Sequence, residues 1–202
     1  MGGKPVTIEK VDDYTVVYKF PSPNYLWEEI MAIDTQSDAG HAMGGSVFGG
    51  FVGGYAPSHY LKQFHPKYTP KEELDKKGQE AKFDNWVRLM QFKNNWSLNT
   101  EVPVMTPWKT TSPINTPTWV IERNPYYWAV DTAGNQLPYI DKIVFSLAEN
   151  LEVLNLRAIA GEYDIQERHI LLPKLPVLLE NMQKGNYTVH LDPCDCGSDA
   201  GL

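Results

Sequence analysis

Alternating apolar and polar residues near the start of the chain predict a β-hairpin over residues 5–20. Val6 and Ile8 alternate with polar neighbours before a polar turn, and Val16 and Phe20 keep the same spacing after it. Because side chains on a strand alternate between its two faces, this spacing predicts two strands joined as a hairpin.

Helical spacing dominates the next part of the chain. Short helices are predicted over residues 25–33 and 57–64, and the strongest helical pattern covers residues 70–96. Phe83 and Met90 belong to an apolar set within that pattern, spaced as on one face of a helix. The following stretch, residues 97–117, is rich in proline, threonine and asparagine and predicts irregular chain.

The second half of the chain alternates between predicted strands and helices. The strands cover residues 118–123, 140–147, 163–165 and 187–191, and the helices cover residues 149–160 and 173–184. Strand 140–147 is apolar on both faces, which predicts a central position in its sheet. Gly161 follows the first helix where a C-cap glycine belongs. This order predicts a mixed α/β fold.

Charge and composition narrow the classes of function. The 202 residues hold 25 acids and 18 bases, for a net charge of −7, and the bases form no block. Nucleic acid is therefore not an expected partner, since phosphate binding needs clustered Lys and Arg. No apolar run reaches the roughly 18 residues that a membrane helix needs. The first residues lack an apolar signal segment, which by itself favours the cytoplasm.

Motifs for catalysis, cofactors or metals are missing from the sequence. It contains no G-x-S-x-G, H-E-x-x-H, P-loop or C-x-x-C motif. The glycine-rich residues 39–56 lack the spacing of a phosphate cradle and predict a loop instead. Cys194 and Cys196 are too close in sequence for a relaxed disulfide, and they supply two of the four ligands of a structural zinc site. We expect no enzyme activity, no cofactor and no metal.

Aromatic residues suggest binding more than catalysis. The chain has six tryptophans, whose rings suit stacking on sugars or packing against peptides. Trp86 lies on an apolar helix face and is predicted to be core. Trp108 lies in the Pro/Thr-rich stretch with no core pattern, and it is therefore a candidate ligand contact.

Residues 123–141, RNPYYWAVDTAGNQLPYID, form the most specific phrase of the sequence. Tyr126, Tyr127 and Trp128 are expected to anchor this connection in apolar surface. Residues 131–135 could ligate Ca²⁺ through Asp and Asn oxygens. The same residues favour a turn with a left-handed Gly or Asn, and an EF-hand acid series is absent.

This phrase resembles the family 5 extracellular solute-binding proteins of ABC transporters. E-R-N-P-Y-Y-W at 122–128 and V-D-T-A-G-N-Q-L-P-Y-I-D-K-I at 130–143 carry the likeness. Collinear phrases extend it over nearly the whole chain, at residues 11–17, 57–65 and 156–165. The chain departs from the family at residues 111–116, where a Gly-Pro-Tyr strand entry is usual.

The resemblance implies a fragment of a two-lobed periplasmic binding protein fold (type II, cluster C-like). Residues 5–137 would form part of the small variable domain, and residues 138–202 part of the first main lobe. Family members are much longer, so we expect an internal fragment of an extracytoplasmic protein. Association with the membrane would then depend on an N-terminal signal or lipid anchor outside these residues.

The resemblance also implies a function without catalysis. The protein would capture oligopeptides outside the membrane and deliver them to the permease subunits of an ABC importer. An oligosaccharide-binding member of the same family is one alternative. A carbohydrate hydrolase is another, and it requires two carboxylates roughly 5–10 Å apart in a cleft. The tail should approach the hinge, which makes Cys196, Gly197 and Ser198 candidate ligand contacts besides Trp108.

Overall fold

A computed structural model of the chain describes residues 5–27 and 56–191. The chain divides into two compact units between Phe145 and Ser146, and each unit is described by itself. Most of the helix predicted over residues 25–33, nearly all of the glycine-rich stretch 39–56, and Cys194 and Cys196 lie outside the described residues.

The predicted hairpin at the start of the first unit is confirmed. Strands β1 (Thr7–Lys10) and β2 (Val16–Lys19) pair antiparallel, with their registers running from Thr7 opposite Lys19 to Lys10 opposite Val16. The Asp12 carboxylate accepts a 2.7 Å hydrogen bond from the backbone N–H of Tyr14 and so closes the turn. Backbone capture by a short acidic side chain is the usual chemistry of such turns.

Helices α1 to α3 form the apolar core of the first unit. Helix α1 (Ser58–Leu61) continues into a 3₁₀ turn, and helices α2 (Lys71–Glu80) and α3 (Trp86–Lys93) follow. Leu61, Phe64 and Leu89 are buried together, which confirms that residues 57–64 pack as a helical segment.

The single helical pattern over residues 70–96 is interrupted. Lys82 adopts a left-handed φ of 60°, and the N–H of Phe83 donates to the carbonyl of Gly78 at 2.8 Å, which ends α2. Asn85 then starts α3, because its side chain accepts a hydrogen bond from the N–H of Arg88 at 3.0 Å. The apolar residues keep a helical spacing on both sides of this break, so the sequence pattern did not reveal that Asn85 caps a second helix.

A three-stranded sheet, in the order β3-β4-β5, completes the first unit. Strands β3 (Trp108–Ser112) and β4 (Thr118–Arg123) pair antiparallel. The strand predicted at 118–123 is confirmed, whereas the irregular chain predicted over residues 97–117 is wrong for β3. Its polar residues fit a strand because Thr110 is buried and accepts a 3.3 Å hydrogen bond from the indole N–H of Trp119.

Strand β5 (Lys142–Ser146) confirms that a strand lies within residues 140–147, and within the described residues it lies at the edge of its sheet rather than in the predicted central position. Among the described residues β5 pairs only with β4, and Phe145 remains exposed. The apolar character of this strand therefore cannot be explained by the sheet that the described residues form.

The described part of the second unit contains two α-helices. Helix α4 (Leu151–Ala160) starts at Asn150, whose side chain accepts from the N–H of Val153 at 2.9 Å. A 3₁₀ turn leads into α5 (Leu175–Gly185). Both predicted helices are confirmed.

The strands predicted at residues 163–165 and 187–191 are wrong, since the described part of this unit has no strand there. The connection between the helices is instead tied to α4 by the fully buried Asn155. Its amide donates to the carbonyl of His169 at 3.0 Å, and its carbonyl oxygen accepts from the N–H of Leu171 at 3.0 Å. These bonds satisfy the backbone of the connection without a strand partner.

The ends of α4 and α5 approach each other at two glycines. Gly161 caps α4 with φ 77°, as predicted, and a Cβ at this position would lie 2.1 Å from the carbonyl oxygen of Gly185. Any side chain at residue 161 would therefore both strain the backbone and push the two helix ends apart.

We predict that Gly161→Ala lowers the free energy of unfolding by about 3 kcal/mol, from left-handed strain plus overpacking. Gly134→Ala is the matched control, because Gly134 has φ 85° but no atom within 4 Å of the added Cβ. The control should lose only about 1 kcal/mol. Urea unfolding measures both variants, and equal losses would contradict the close contact of Gly161 with Gly185.

Candidate functional site

The candidate site is the segment of residues 124–141, which links the end of β4 to the start of β5. Asn124, which begins it, is 6% exposed. Its amide nitrogen donates to the carbonyls of Val104 at 3.1 Å and Thr106 at 2.9 Å. Its carbonyl oxygen accepts from the N–H of Tyr126 at 3.0 Å, so one side chain joins two separate stretches of chain.

Gln136 closes the segment from the other end. Its amide nitrogen donates to the carbonyl oxygens of Pro125 and Tyr127, at 2.8 Å each. An antiparallel bridge joins Val130 to Gln136, and the N–H of Leu137 donates to the carbonyl of Ala129 at 3.0 Å. The segment is therefore a closed loop held by its own side chains.

Asp131 organises the tip of this loop. One carboxylate oxygen accepts from the N–H groups of Ala133 and Asn135, each at 2.8 Å. The other accepts from the Asn135 amide at 2.9 Å and from the Tyr139 hydroxyl at 2.8 Å. Because these donors stabilise the charged carboxylate, the pKa of Asp131 falls from 3.8 to about 2. Gly134, with φ 85°, turns the chain between them.

This geometry favours the turn over the Ca²⁺ alternative, since all the donors to Asp131 come from within the loop. Across the described ranges 5–27 and 56–191, no group of three or more His, Cys, Asp or Glu side chains could hold a metal ion.

The loop presents three of its aromatic side chains to solvent, Tyr126, Trp128 and Tyr139, and the hydroxyl of Tyr139 is bound to Asp131. Tyr126 is 91% exposed and Trp128 is 79% exposed, so the prediction that both anchor the loop in apolar surface is wrong within this chain. Tyr127 is half-buried and lies 5.7 Å, between ring centroids, from Trp128. Hydrogen bonds from Asn124 and Gln136 fix the loop, so burial of these rings is not required.

Trp108, the candidate ligand contact in the described residues, lies at the start of β3 beside this loop. It is half-buried, and its indole N–H donates to the carbonyl of Ile140 at 3.3 Å. The other candidates, Cys196, Gly197 and Ser198, lie outside the described residues.

Three further aromatic rings, Trp96, Trp119 and Phe145, contact one another at the same sheet. Trp119 stacks on Phe145 with a centroid separation of 4.6 Å and an interplanar angle of 23°, and Trp96 lies 5.4 Å from Trp119. Sequence reasoning missed this set, although the alternation of β4 places Trp119 on the same face as the buried Ile121.

A polar cluster joins the helices to the chain that follows them. The Tyr60 hydroxyl accepts from the Asn99 amide at 3.0 Å, and Lys93 lies 3.1 Å from Glu101. The hydrogen bond and charge of Lys93 lower the pKa of Glu101. The pKa of Asp12 is likewise lowered, chiefly by the N–H of Tyr14. In the described residues, the carboxyl groups whose pKa departs from its ordinary value all shift downward.

The architecture and the loop agree with the outcome of a family comparison. The model of the bacterial extracellular solute-binding proteins, family 5 Middle, matches residues 2–191. The chain therefore belongs to the family 5 solute-binding proteins. The predicted family and the mixed α/β fold are confirmed. No helix in the described residues is long and apolar enough to cross a membrane.

Three relatives show what this chain is similar to. A solved structure of the oligopeptide-binding protein OppA shares 43% identity at a TM-score of 0.72, covering 91% of this chain and 27% of that one. The periplasmic α-galactoside-binding protein of Rhizobium meliloti (strain 1021) is 33% identical over 164 residues, covering 81% of this chain and 19% of the relative. The periplasmic binding protein MelB of Agrobacterium fabrum C58, solved with stachyose, shares 26% identity at a TM-score of 0.52. The match covers 87% of this chain and 21% of that one. The chain thus spans about a fifth to a quarter of the relatives that it matches.

We predict that Asp131→Asn removes an acid-dependent part of the stability. The folded-state pKa of Asp131 is depressed, so its contribution is fully present above the ordinary pKa of 3.8 and is lost as the pH falls towards about 2. The variant should be less stable than the parent at pH 7, and the difference should shrink between pH ~4 and ~2.

Urea unfolding at a series of pH values measures this difference, and Asp84→Asn, at an exposed aspartate outside the loop, is the control. A difference between Asp131→Asn and the parent that stays constant down to pH ~2 would contradict the role given to the charged carboxylate.

Proposed function

We propose that this chain is part of the solute-binding component of an ABC importer and that the intact protein captures oligopeptides. The structural match to OppA carries this proposal, because its identity of 43% over 91% of the chain exceeds that of either sugar-binding relative. The intact protein would hold its ligand between two closing lobes and pass it to the permease subunits.

An oligosaccharide is the second candidate ligand. It is favoured by the printed names of the α-galactoside-binding relative and of MelB with stachyose. The tryptophans of the chain would suit it, since indole rings stack on the apolar faces of sugars.

Catalysis is not part of the proposal. The relatives named above are binding proteins. A glycoside hydrolase uses a carboxylic acid whose pKa is raised, so that it can protonate the leaving oxygen. The displaced carboxyl pKa values of Asp12, Glu101 and Asp131 are lowered instead, which does not favour the hydrolase alternative.

We propose that residues 5–137 form part of the small variable domain and residues 138–202 part of the first main lobe. The division of the chain between Phe145 and Ser146 lies close to that boundary. The names of the periplasmic relatives support an extracytoplasmic location for the intact protein.

For ligand contacts, we keep Cys196, Gly197 and Ser198 as proposed cleft residues. Trp108 is proposed with a narrower role. Because its indole N–H is already donated to Ile140, only the ring face would be free to stack on a ligand.

We predict that an oligopeptide raises the melting temperature of the intact polypeptide that contains these residues. At a ligand concentration of 100 Kd the native state gains about 2.7 kcal/mol. In a polypeptide of the length of OppA, of which this chain covers 27%, that gain raises Tm by roughly 2 °C. Thermal-shift measurements would compare tetra-alanine with stachyose. A shift with stachyose and none with the peptide would overturn the peptide proposal in favour of the sugar.

The 202-residue chain is the matched control for this screen. We expect no shift from either ligand, because it spans only 27% of the OppA chain and much of the cleft would lie elsewhere. Micromolar binding to these 202 residues alone, measured by calorimetry, would contradict that expectation.

A further inference from the structure

The helical region of residues 57–93 differs in charge from the rest of the chain. It holds eight of the 18 bases and five of the 25 acids, a surplus of three positive charges in a chain whose net charge is −7. Three of these bases form ion pairs with glutamates. Lys62 and Lys67 are exposed, and neither forms an ion pair with a carboxylate of the described residues.

Lys62 and Lys67 place their ammonium groups at the same aromatic ring, that of Tyr68. The ammonium nitrogen of Lys62 lies 5.5 Å from the ring centroid, and that of Lys67 lies 5.7 Å from it. Tyr68 is 55% exposed, so the ring lies at the surface of the first unit. Attraction between each ammonium and the ring offsets part of the repulsion between the two like charges.

A hydrogen-bonded turn fixes the backbone that carries these three side chains. The carbonyl of Lys62 accepts from the hydroxyl of the buried Thr69 at 3.1 Å. The carbonyl of His65 accepts from the N–H groups of Tyr68 at 3.0 Å and Thr69 at 3.1 Å. The Nδ1 of His65 accepts from the N–H of Lys67 at 3.1 Å. A ligand would therefore meet a backbone that is already ordered, which lowers the entropic cost of binding.

We propose that Lys62, Lys67 and Tyr68 form a binding site for a phosphate group. A phosphate carries up to two negative charges and several acceptor oxygens, so it can accept from both ammonium groups and from the phenol hydroxyl. A carboxylate carries a single charge and matches two lysines less well. Free phosphate and the headgroup of an anionic phospholipid both supply this chemistry. The site does not depend on which solute the intact protein captures, so its failure would leave that proposal unchanged.

NMR of the lysine side chains in the intact polypeptide tests the site with inorganic phosphate. The lysines are ¹³C-dimethylated, which keeps their charge, and Lys62→Arg and Lys67→Arg assign the two signals. Phosphate is added at constant ionic strength and at pH ~8, where it is doubly charged. The signals of Lys62 and Lys67 should shift together and saturate in the millimolar range. Equal, unsaturated shifts of all lysine signals would exclude free phosphate as the ligand, because general screening acts on every exposed charge.

Substitutions that remove one charge locate the site. Lys62→Gln should weaken phosphate binding about 10-fold, measured through the signal of Lys67, because a hydrogen bond to a charged group is lost. Lys76→Gln is the matched control, since it removes the same charge from an exposed position of α2 and should leave binding unchanged. Equal weakening by the two substitutions would overturn the proposal.

Sedimentation with vesicles distinguishes the two sources of the phosphate group. Binding of the intact polypeptide to phosphatidylglycerol vesicles at low salt, absent with phosphatidylcholine and lost in the double variant Lys62→Gln/Lys67→Gln, would assign a lipid headgroup. Saturable shifts with inorganic phosphate and no vesicle binding would assign free phosphate. The proposal is overturned when neither inorganic phosphate nor the anionic vesicles bind.

Discussion

The carboxamide of Asn124 is the interaction on which the loop between β4 and β5 depends. It binds two carbonyls of the chain before β3 and the N–H of Tyr126, and the backbone N–H of Asn124 donates to the Pro107 carbonyl at 2.8 Å. Without the Asn124 side chain, the carbonyls of Val104 and Thr106 and the N–H of Tyr126 would lose their hydrogen-bond partner. Each such group that stays buried costs about 1–3 kcal/mol. Asn124 therefore fixes the start of the loop, and Gln136 and Asp131 hold the rest of it.

Residues 123–141, which carry the likeness to the family, therefore have a structural role and are not the proposed ligand contacts. Three of their polar side chains are already bound within the protein. Asn124 donates to the carbonyls of Val104 and Thr106, Gln136 donates to carbonyls within the loop, and Asp131 accepts from four donors of the loop. The phrase is scaffold in this account. Its exposed rings, Tyr126 and Trp128, are available for packing against other parts of the protein.

Local patterns predicted local structure well. The hairpin, the strand over residues 118–123 and both helices of the second unit follow from alternation, helical spacing and caps such as Gly161. Strand β3 could not be predicted in this way, because its threonines are satisfied by Trp119 and by pairing with β4. The role of Asn124 was hidden for the same reason, since Val104 and Thr106 lie 20 and 18 residues away in sequence. The ligand contacts proposed at Cys196, Gly197 and Ser198 stay predictions.

The most direct test of the scaffold is the unfolding free energy of Asn124→Ala, measured by urea denaturation. The substitution leaves the carbonyls of Val104 and Thr106 and the N–H of Tyr126 without their partner, so we expect a loss of about 2–3 kcal/mol. Asn115→Ala, at an exposed asparagine of the same unit, should change stability by less than about 0.5 kcal/mol. Equal, small losses for both variants would contradict the account, because the loop would then keep its conformation without Asn124.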